Sequence, residues 1–424
     1  MICNATHRIY NKYDILLFLL ITSVAFGGFG GALAVPRLLT ILFSIFLPVC
    51  FRRHEILSLK KYIVFLGFFS LYSVISLIWS INKSEGVVEC IYNIIHSLFF
   101  IEICTFALYA RRPLFTISTS WLIAFLATAG VAVYEITTGY HLPLSRFEED
   151  IQMNAGGGLV VIRRFAAVTF GNFNNYVTYI CLCLPFLVYT LLESKQLKYK
   201  WFFPIVALFL SVFILIINAS RGGIISLAIV LSVLLFFARK TKYTIFFGTI
   251  IIALLICFLY KYRDLLFLSI SVRMNGSSDG MVDGSSRFKI WNDALTVFKN
   301  SFGLGCGAGA LSDSMELYGT EDIIVPHNFF LEVLASYGIM VFIPIVSFLL
   351  SQLNRVIRYS FRDRSRHILL IAAFLSMPVF LIINSGYLQL PHLYAFFASL
   401  VVFLNYRLYP SPQKYSDELS SRSH

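Results

Sequence analysis

The sequence predicts an all-α, polytopic integral membrane protein of about twelve transmembrane helices, with a large outer loop between the ninth and tenth. Three observations lead there. Of 424 residues, 58% are hydrophobic and only 13% are charged, about half the charged fraction of a soluble domain. The apolar residues gather into runs of membrane-spanning length, about 20 residues each. Lysine and arginine collect in every second connection between those runs, the pattern by which spans are oriented. The same composition excludes a disordered chain, a coiled coil, a disulfide-stapled secreted fold and a nucleic-acid binder, despite a net charge of +12.

Apolar runs lie near 14–31, 34–51, 62–80, 87–109, 114–136, 172–192, 201–218, 221–238, 243–260, 328–350, 367–385 and 388–406. Basic clusters such as Arg52, Arg53, Lys60 and Lys61, or Arg355, Arg358, Arg362, Arg364 and Arg366, fall in the even-to-odd connections. With the termini added, that side holds 22 of the 34 basic residues against six acidic ones. Both termini are therefore expected in the cytoplasm. Ala32-Leu33-Ala34 after a short apolar run imitates a signal-peptide cleavage site, but cleavage would leave the other spans oriented as before. The expected organisation is spans 1–9 over 1–260, with an outer loop at 137–171; a periplasmic loop over 261–327; spans 10–12 over 328–406; and a polar cytoplasmic tail over 407–424.

Long connections in compact proteins are commonly functional, and both lie on the outer side. Segment 144–165 carries Arg146, Glu148, Glu149, Asp150, a Gly156-Gly157-Gly158 hinge and Arg163-Arg164. It reads as a re-entrant or surface-lying piece. In the second loop, a helix from Arg287 to Phe298 would place Phe288, Trp291, Ala294, Leu295 and Phe298 on one face, resting on the membrane surface or on the bundle.

The eight cysteines lie mostly in apolar runs with no CxxC pair, which suits small hydrophobes in helix packing. No HExxH or close Asp/His cluster occurs, so neither a protein-built metal site nor a cofactor is expected. The row Gly303, Gly305, Gly307, Gly309 reads as a tight turn that either offers amides to an anion or lets loop and helices approach closely. Arg221, after Ser220 and before Gly222-Gly223, opens a span where an arginine is costly without an anionic partner; the alternative is snorkelling. His327, followed by Asn328, stands where the large loop re-enters the membrane. A neutral histidine there can take a hydroxyl proton, or it can be a cap. Arg287 and the pair Arg163, Arg164 add outer-face cations. Glu102, His96 and Asn384 read as groups bonding to neighbouring helices.

Three stretches then match one family in order. Ser220-Arg221-Gly222-Gly223, the run from Ser286 to Leu311 and the run from Pro326 to Val346 resemble the signature region of the O-antigen ligase and polymerase superfamily. The run from Arg163 to Ile180 is similar to an arginine-then-asparagine stretch of that family, although Asn172-Phe173-Asn174-Asn175 lacks its usual proline. The resemblance implies an inner-membrane glycosyltransferase of the C-type fold. Its donor would be a glycan on undecaprenyl pyrophosphate, and its acceptor lipid A-core or a lipid-linked repeat, with room for a chain-length regulator. Arg221 and Arg287 would hold the pyrophosphate and His327 would be the base. Arg163, Arg164, Ser220, Asn328, Gly305 and Gly307 are the further substrate-binding candidates.

Arginine forks suit phosphate oxygens, and a donor carrying its own leaving group needs no nucleotide. The expected chemistry is metal-independent and inverting. Ligase and polymerase differ only in acceptor, and the twelve-span count leans towards the ligase. A twelve-span transporter or flippase would more often show similar halves and midplane ionisable groups.

Overall fold

The computed structural model describes residues 11–28, 31–51, 58–143, 151–155, 159–163, 165–194, 201–218, 220–238, 284–318, 325–358, 363–384 and 386–405; of residues 32, 151–155, 159–163, 238 and 284–287 it describes the backbone. Eleven of the twelve expected apolar runs are helical: α1 (Lys12–Ser23), α2 (Val35–Phe43) continuing into α3 (Leu47–Phe51), α4 (Lys60–Ser76), α5 (Lys83–Tyr109), α6 (Pro113–Thr138), α7 (Phe173–Glu193), α8 (Phe202–Ile217) and α9 (Arg221–Ala238), then α12 (Phe329–Arg358), α13 (Arg364–Phe380) and α14 (Pro391–Asn405). The ninth run, 243–260, lies outside the described residues. Among the described helices, α5, α6, α7 and α12 are long and apolar enough to cross a membrane by length and composition. Two further helices, α10 (Gly284–Asn300) and α11 (Leu311–Tyr318), belong to the late loop.

One element departs from an all-helical chain. Residues Ile151–Ala155 (β1) and Leu159–Arg163 (β2) pair antiparallel, with Ile151 opposite Arg163 and Ala155 opposite Leu159. Within the segment expected to re-enter or lie flat these two strands pair, and β2 carries Val160, Val161 and Ile162, residues that favour strands.

The core centres on α6, α7 and α14. Trp121 stacks on Phe186 at 5.2 Å and 3°, and its indole donates to Ser399 Oγ at 3.1 Å. Phe186 meets Phe396 and Phe403 edge-on. At one end of the bundle, buried Asp14 accepts the amides of Arg111 and Arg112 at 3.1 and 3.2 Å. It thereby satisfies orphan donors at the start of α6. Asn11 holds the Tyr109 carbonyl at 2.7 Å, so the start of α1 fixes the α5–α6 turn. The opposite end gathers described residues of 23–28, 31–37, 76–96, 135–142, 165–175, 220–223, 303–310, 326–332, 381–384 and 386–392, with Asn218, as their mutual bonds below show.

The late loop helix is longer than expected. Ile290, Ala294 and Val297 are buried against Cys306, Ala310, Met315 and Ala335, whereas Phe288 is 70% exposed. Of the two alternatives for the face of Phe288, Trp291, Ala294, Leu295 and Phe298, the bundle takes Ala294 together with Ile290 and Val297, because α10 packs closely on the glycine row and on α12, and Phe288 and Leu295 stay exposed. Cys50, Cys90, Cys104, Cys181, Cys183 and Cys306 are buried free thiols, as expected of packing residues.

Candidate active site

The glycine row and a break in α12 form one unit. At Gly338 the chain takes φ 65 and ψ −166, which splits α12 into two helices. A break of this kind strips neighbouring carbonyls and amides of their intrahelical partners, and buried backbone groups must be paired elsewhere. The row supplies them. Cys306 N donates to Ala335 O at 2.8 Å, Gly307 N to Ser336 O at 2.9 Å, and Ile339 N to Gly303 O at 3.0 Å. From the other side Tyr72 bonds Leu304 O at 2.8 Å, Trp79 bonds Gly305 O at 2.9 Å and Ser80 bonds Ala308 O at 2.8 Å.

Gly303, Gly305, Gly307 and Gly309 all have positive φ, the region glycine occupies without strain. A β-carbon on Gly305 would stand 2.5 Å from Gly338 N, and one on Gly307 2.7 Å from Ser76 O. Of the two readings of the row, close approach is the one this geometry fits. Gly307, a substrate-binding candidate, gives its amide to Ser336, and the neighbouring amides of Cys306, Ala308 and Gly309 go to Ala335, Ser76 and Glu89. Burial among these contacts pushes the Cys306 thiol up to about 12.

The His327 corner is fixed from both sides. Trp291 on α10 donates its indole N–H to Pro326 O at 2.9 Å. Asn328 Oδ1 accepts the amides of Phe330 and Leu331 at 3.0 and 3.4 Å, so Asn328 caps α12 in the ordinary manner of asparagine. Phe329 N donates to Leu381 O at 2.9 Å. Between these ties His327 has φ 46, a left-handed conformation costly for a residue with a side chain. It is half-buried. Arg287 is one helical turn before Trp291 on α10, and its backbone is described.

Arg221 begins α9 and is exposed. Ser220, buried beside it, accepts Gly223 N at 3.2 Å, so it acts as the cap of α9. Gly222 lies against the turn after α13, where a β-carbon would stand 2.6 Å from Ile383 Cγ1. Because Leu381 holds Phe329 and Ile383 abuts Gly222, the starts of α9 and α12 flank the same turn. Arg163 ends β2, and only its backbone is described; Arg164 lies outside the described residues. Two residues further on, Ala166 exchanges two hydrogen bonds with the Asn218 side chain, three residues before Arg221. The asparagine motif is structural here: Asn172 caps α7 through Asn174 N at 2.7 Å, and Asn175 bonds Phe170 O and Asn384.

Sequence reasoning missed a second polar assembly at this end. Glu332, five residues after His327, is buried and accepts Gly386 N at 2.9 Å and Leu388 N at 3.3 Å. On the far side of that turn, Arg37 donates to Gln389 O at 3.3 Å, to Gly31 O at 2.5 Å and to His96 Nε2 at 3.2 Å. Its guanidinium lies 3.5 Å from the centre of the Tyr92 ring, a cation–π contact. Since His96 Nε2 faces a donor, Nδ1 carries the proton, directed at Leu388 O at 3.2 Å. Glu89 accepts Tyr337 Oη at 2.5 Å, and Asn93 donates to the same hydroxyl at 2.7 Å. His96 and Asn384 thus bond to neighbouring elements as expected. Glu102 does not, because both of its oxygens are buried without a hydrogen-bond partner.

The family model described as Wzy_C, O-Antigen ligase, matches residues 206–346. That range contains Arg221, Arg287, the glycine row and His327. The teichuronic acid biosynthesis protein TuaE of Bacillus subtilis (strain 168) is 21% identical over 364 residues, covering 82% of this chain and 72% of the relative. The matched domain and this distant relative both show a likeness to the O-antigen ligase and polymerase superfamily.

Proposed function

We propose that the protein is an O-antigen ligase, a multi-pass enzyme of the bacterial inner membrane that transfers a glycan from undecaprenyl pyrophosphate to lipid A-core. The observation that carries this reading is the meeting of the Arg221 and His327 helix starts on one turn, 381–383. Both termini are cytoplasmic and the site faces the periplasm, as the distribution of cations requires.

The chemistry needs a base for the acceptor and a cation for the leaving group. His327 takes the proton of the acceptor hydroxyl as its oxygen attacks the anomeric carbon. The bond from that carbon to the pyrophosphate oxygen breaks on the opposite side, so configuration inverts. Arg221 and Arg287 hold the departing pyrophosphate through charge-assisted forks. Arg163 and Arg164 add to the cationic lining. The left-handed backbone at His327 supports the assignment, since strained residues of this kind persist where function demands a fixed direction.

A second reading, a polymerase joining undecaprenyl-linked repeats, is favoured by the relative named for teichuronic acid biosynthesis. The two differ only in acceptor. Alanine at His327 abolishes polysaccharide attachment, and alanine at Arg221 or Arg287 severely lowers it, while leaving the protein in the membrane; near-normal activity in all three removes the mechanism. In a deletion strain, long polymer left on the carrier with bare core means ligase. Core bearing a single repeat means polymerase.

A further inference from the structure

We infer that Asn218 is a positioning residue that couples the buried loop 165–170 to the helix start at Arg221, so that this loop holds Arg221 towards one anionic group. The identity of that group as the lipid pyrophosphate rests on the function proposed above. The coupling itself rests on geometry. Ala166 N donates to Asn218 Oδ1 at 2.9 Å, and Asn218 Nδ2 donates to Ala166 O at 3.0 Å. A side-chain amide thus pairs with one residue's backbone as a neighbouring strand would, which sets both distance and orientation.

Both partners are fully buried, at 0% exposure. The Asn218 amide donates to Ile214 O at 2.9 Å, closing α8, and Ser220 then caps α9. Asn218 and Ser220 are thus both fixed just ahead of Arg221.

The other end of the coupling is equally fixed. Residues 165–168 are buried, so their backbone groups need internal partners. Glu135 Oε2 on α6 accepts Ala167 N at 2.9 Å and Val168 N at 3.0 Å, with Val168 at φ 54. Thr169 donates to Ala25 O, and Asn175 donates to Phe170 O at 3.2 Å. The loop is gripped along its length by α6, α7, the residues after α1 and the end of α8. Of these grips, Asn218 is the one on the segment that leads directly to Arg221.

The test uses the full chain in nanodiscs, with Asn218→Ala, Asn218→Asp, Arg221→Ala and the double variant Asn218→Ala, Arg221→Ala. Donor KM, acceptor KM and kcat are measured, with hydrogen–deuterium exchange of the 165–170 peptide. Asn218→Ala is expected to raise donor KM by on the order of ten- to a hundredfold, with acceptor KM unchanged and exchange accelerated. The rise disappears in the Arg221→Ala background. Asn218→Asp keeps the acceptor for Ala166 N and gives a smaller rise; it carries the test if the alanine variant does not fold. An unchanged donor KM in a folded variant overturns the inference, as does a uniform loss of kcat that is equal with and without Arg221. If Arg221→Ala keeps a normal donor KM, the pyrophosphate reading fails by itself, while exchange of 165–170 still decides whether Asn218 holds the loop.

Discussion

Replacing Gly338 by alanine tests the joint between the glycine row and α12. At φ 65 and ψ −166 the residue occupies a region essentially reserved for glycine, where a side chain costs on the order of 1–3 kcal/mol. The added β-carbon would also stand 2.6 Å from Leu304 O, too close for any rotamer change to relieve. The row must retreat, and the bonds from Cys306 N to Ala335 O, Gly307 N to Ser336 O and Ile339 N to Gly303 O lengthen together. Leaving even one buried partner unpaired adds about 1–3 kcal/mol, so the loss is about 2–6 kcal/mol. Thermal unfolding of the detergent-solubilised protein, followed by loss of the monodisperse peak, measures it. Gly130→Ala is the control: nothing lies within 4 Å of its added carbon, and alanine within α6 is expected to gain about 0.5–1 kcal/mol. A Gly338→Ala protein that melts with the parent would refute the account of the kink.

Three further outcomes follow from the same geometry. Trp291→Phe keeps the ring and removes the donor to Pro326 O; it should cost about 0.5–1.5 kcal/mol of stability, while transferase activity falls by on the order of tenfold as His327 loses its fixed direction. Glu332→Gln retains one acceptor for the amides of Gly386 and Leu388, so it should melt closer to the parent than Glu332→Ala, which strands both; equal melting of the two would show that the carboxylate does not hold the turn. With its thiol pushed up to about 12, Cys306 should carry only about one part in ten thousand of thiolate at pH 8 and resist alkylation in the folded protein. Mass spectrometry after maleimide treatment checks this, and Gly338→Ala should unmask it.

Helix positions were legible because a span needs about 20 apolar residues whatever its neighbours, and that demand is local. The motifs at Arg221, Arg287 and His327 were legible for a similar reason: charged or polar groups at the edges of apolar runs stand out. What escaped was pairing over distance. Nothing near Arg37 in the sequence marks His96 as its partner, 59 positions away. Nothing local marks Asn218 as the partner of Ala166, 52 positions earlier. Glu332 caps a turn 54 positions on. Which residues of α10 meet the bundle was not legible, because the tight fit against Ala310 and Ala335 selects Ala294 and Val297. The pairing of 151–155 with 159–163 was hidden by mixed charge beside the glycines.

The dependence of α4 and α5 on the glycine row bears on how the chain is assembled. Tyr72, Ser76, Trp79 and Ser80 find partners in residues 304–308, some 226–232 positions later, and Glu89 waits for Tyr337, 248 positions on. At about 5–20 residues per second of synthesis, roughly ten to fifty seconds separate the emergence of these groups from that of their partners. During that interval the first third of the protein carries hydroxyls, an indole and a carboxylate whose eventual partners do not yet exist. A chain that stops before the row therefore lacks the partners of these groups, and it is the late loop that completes their pairing.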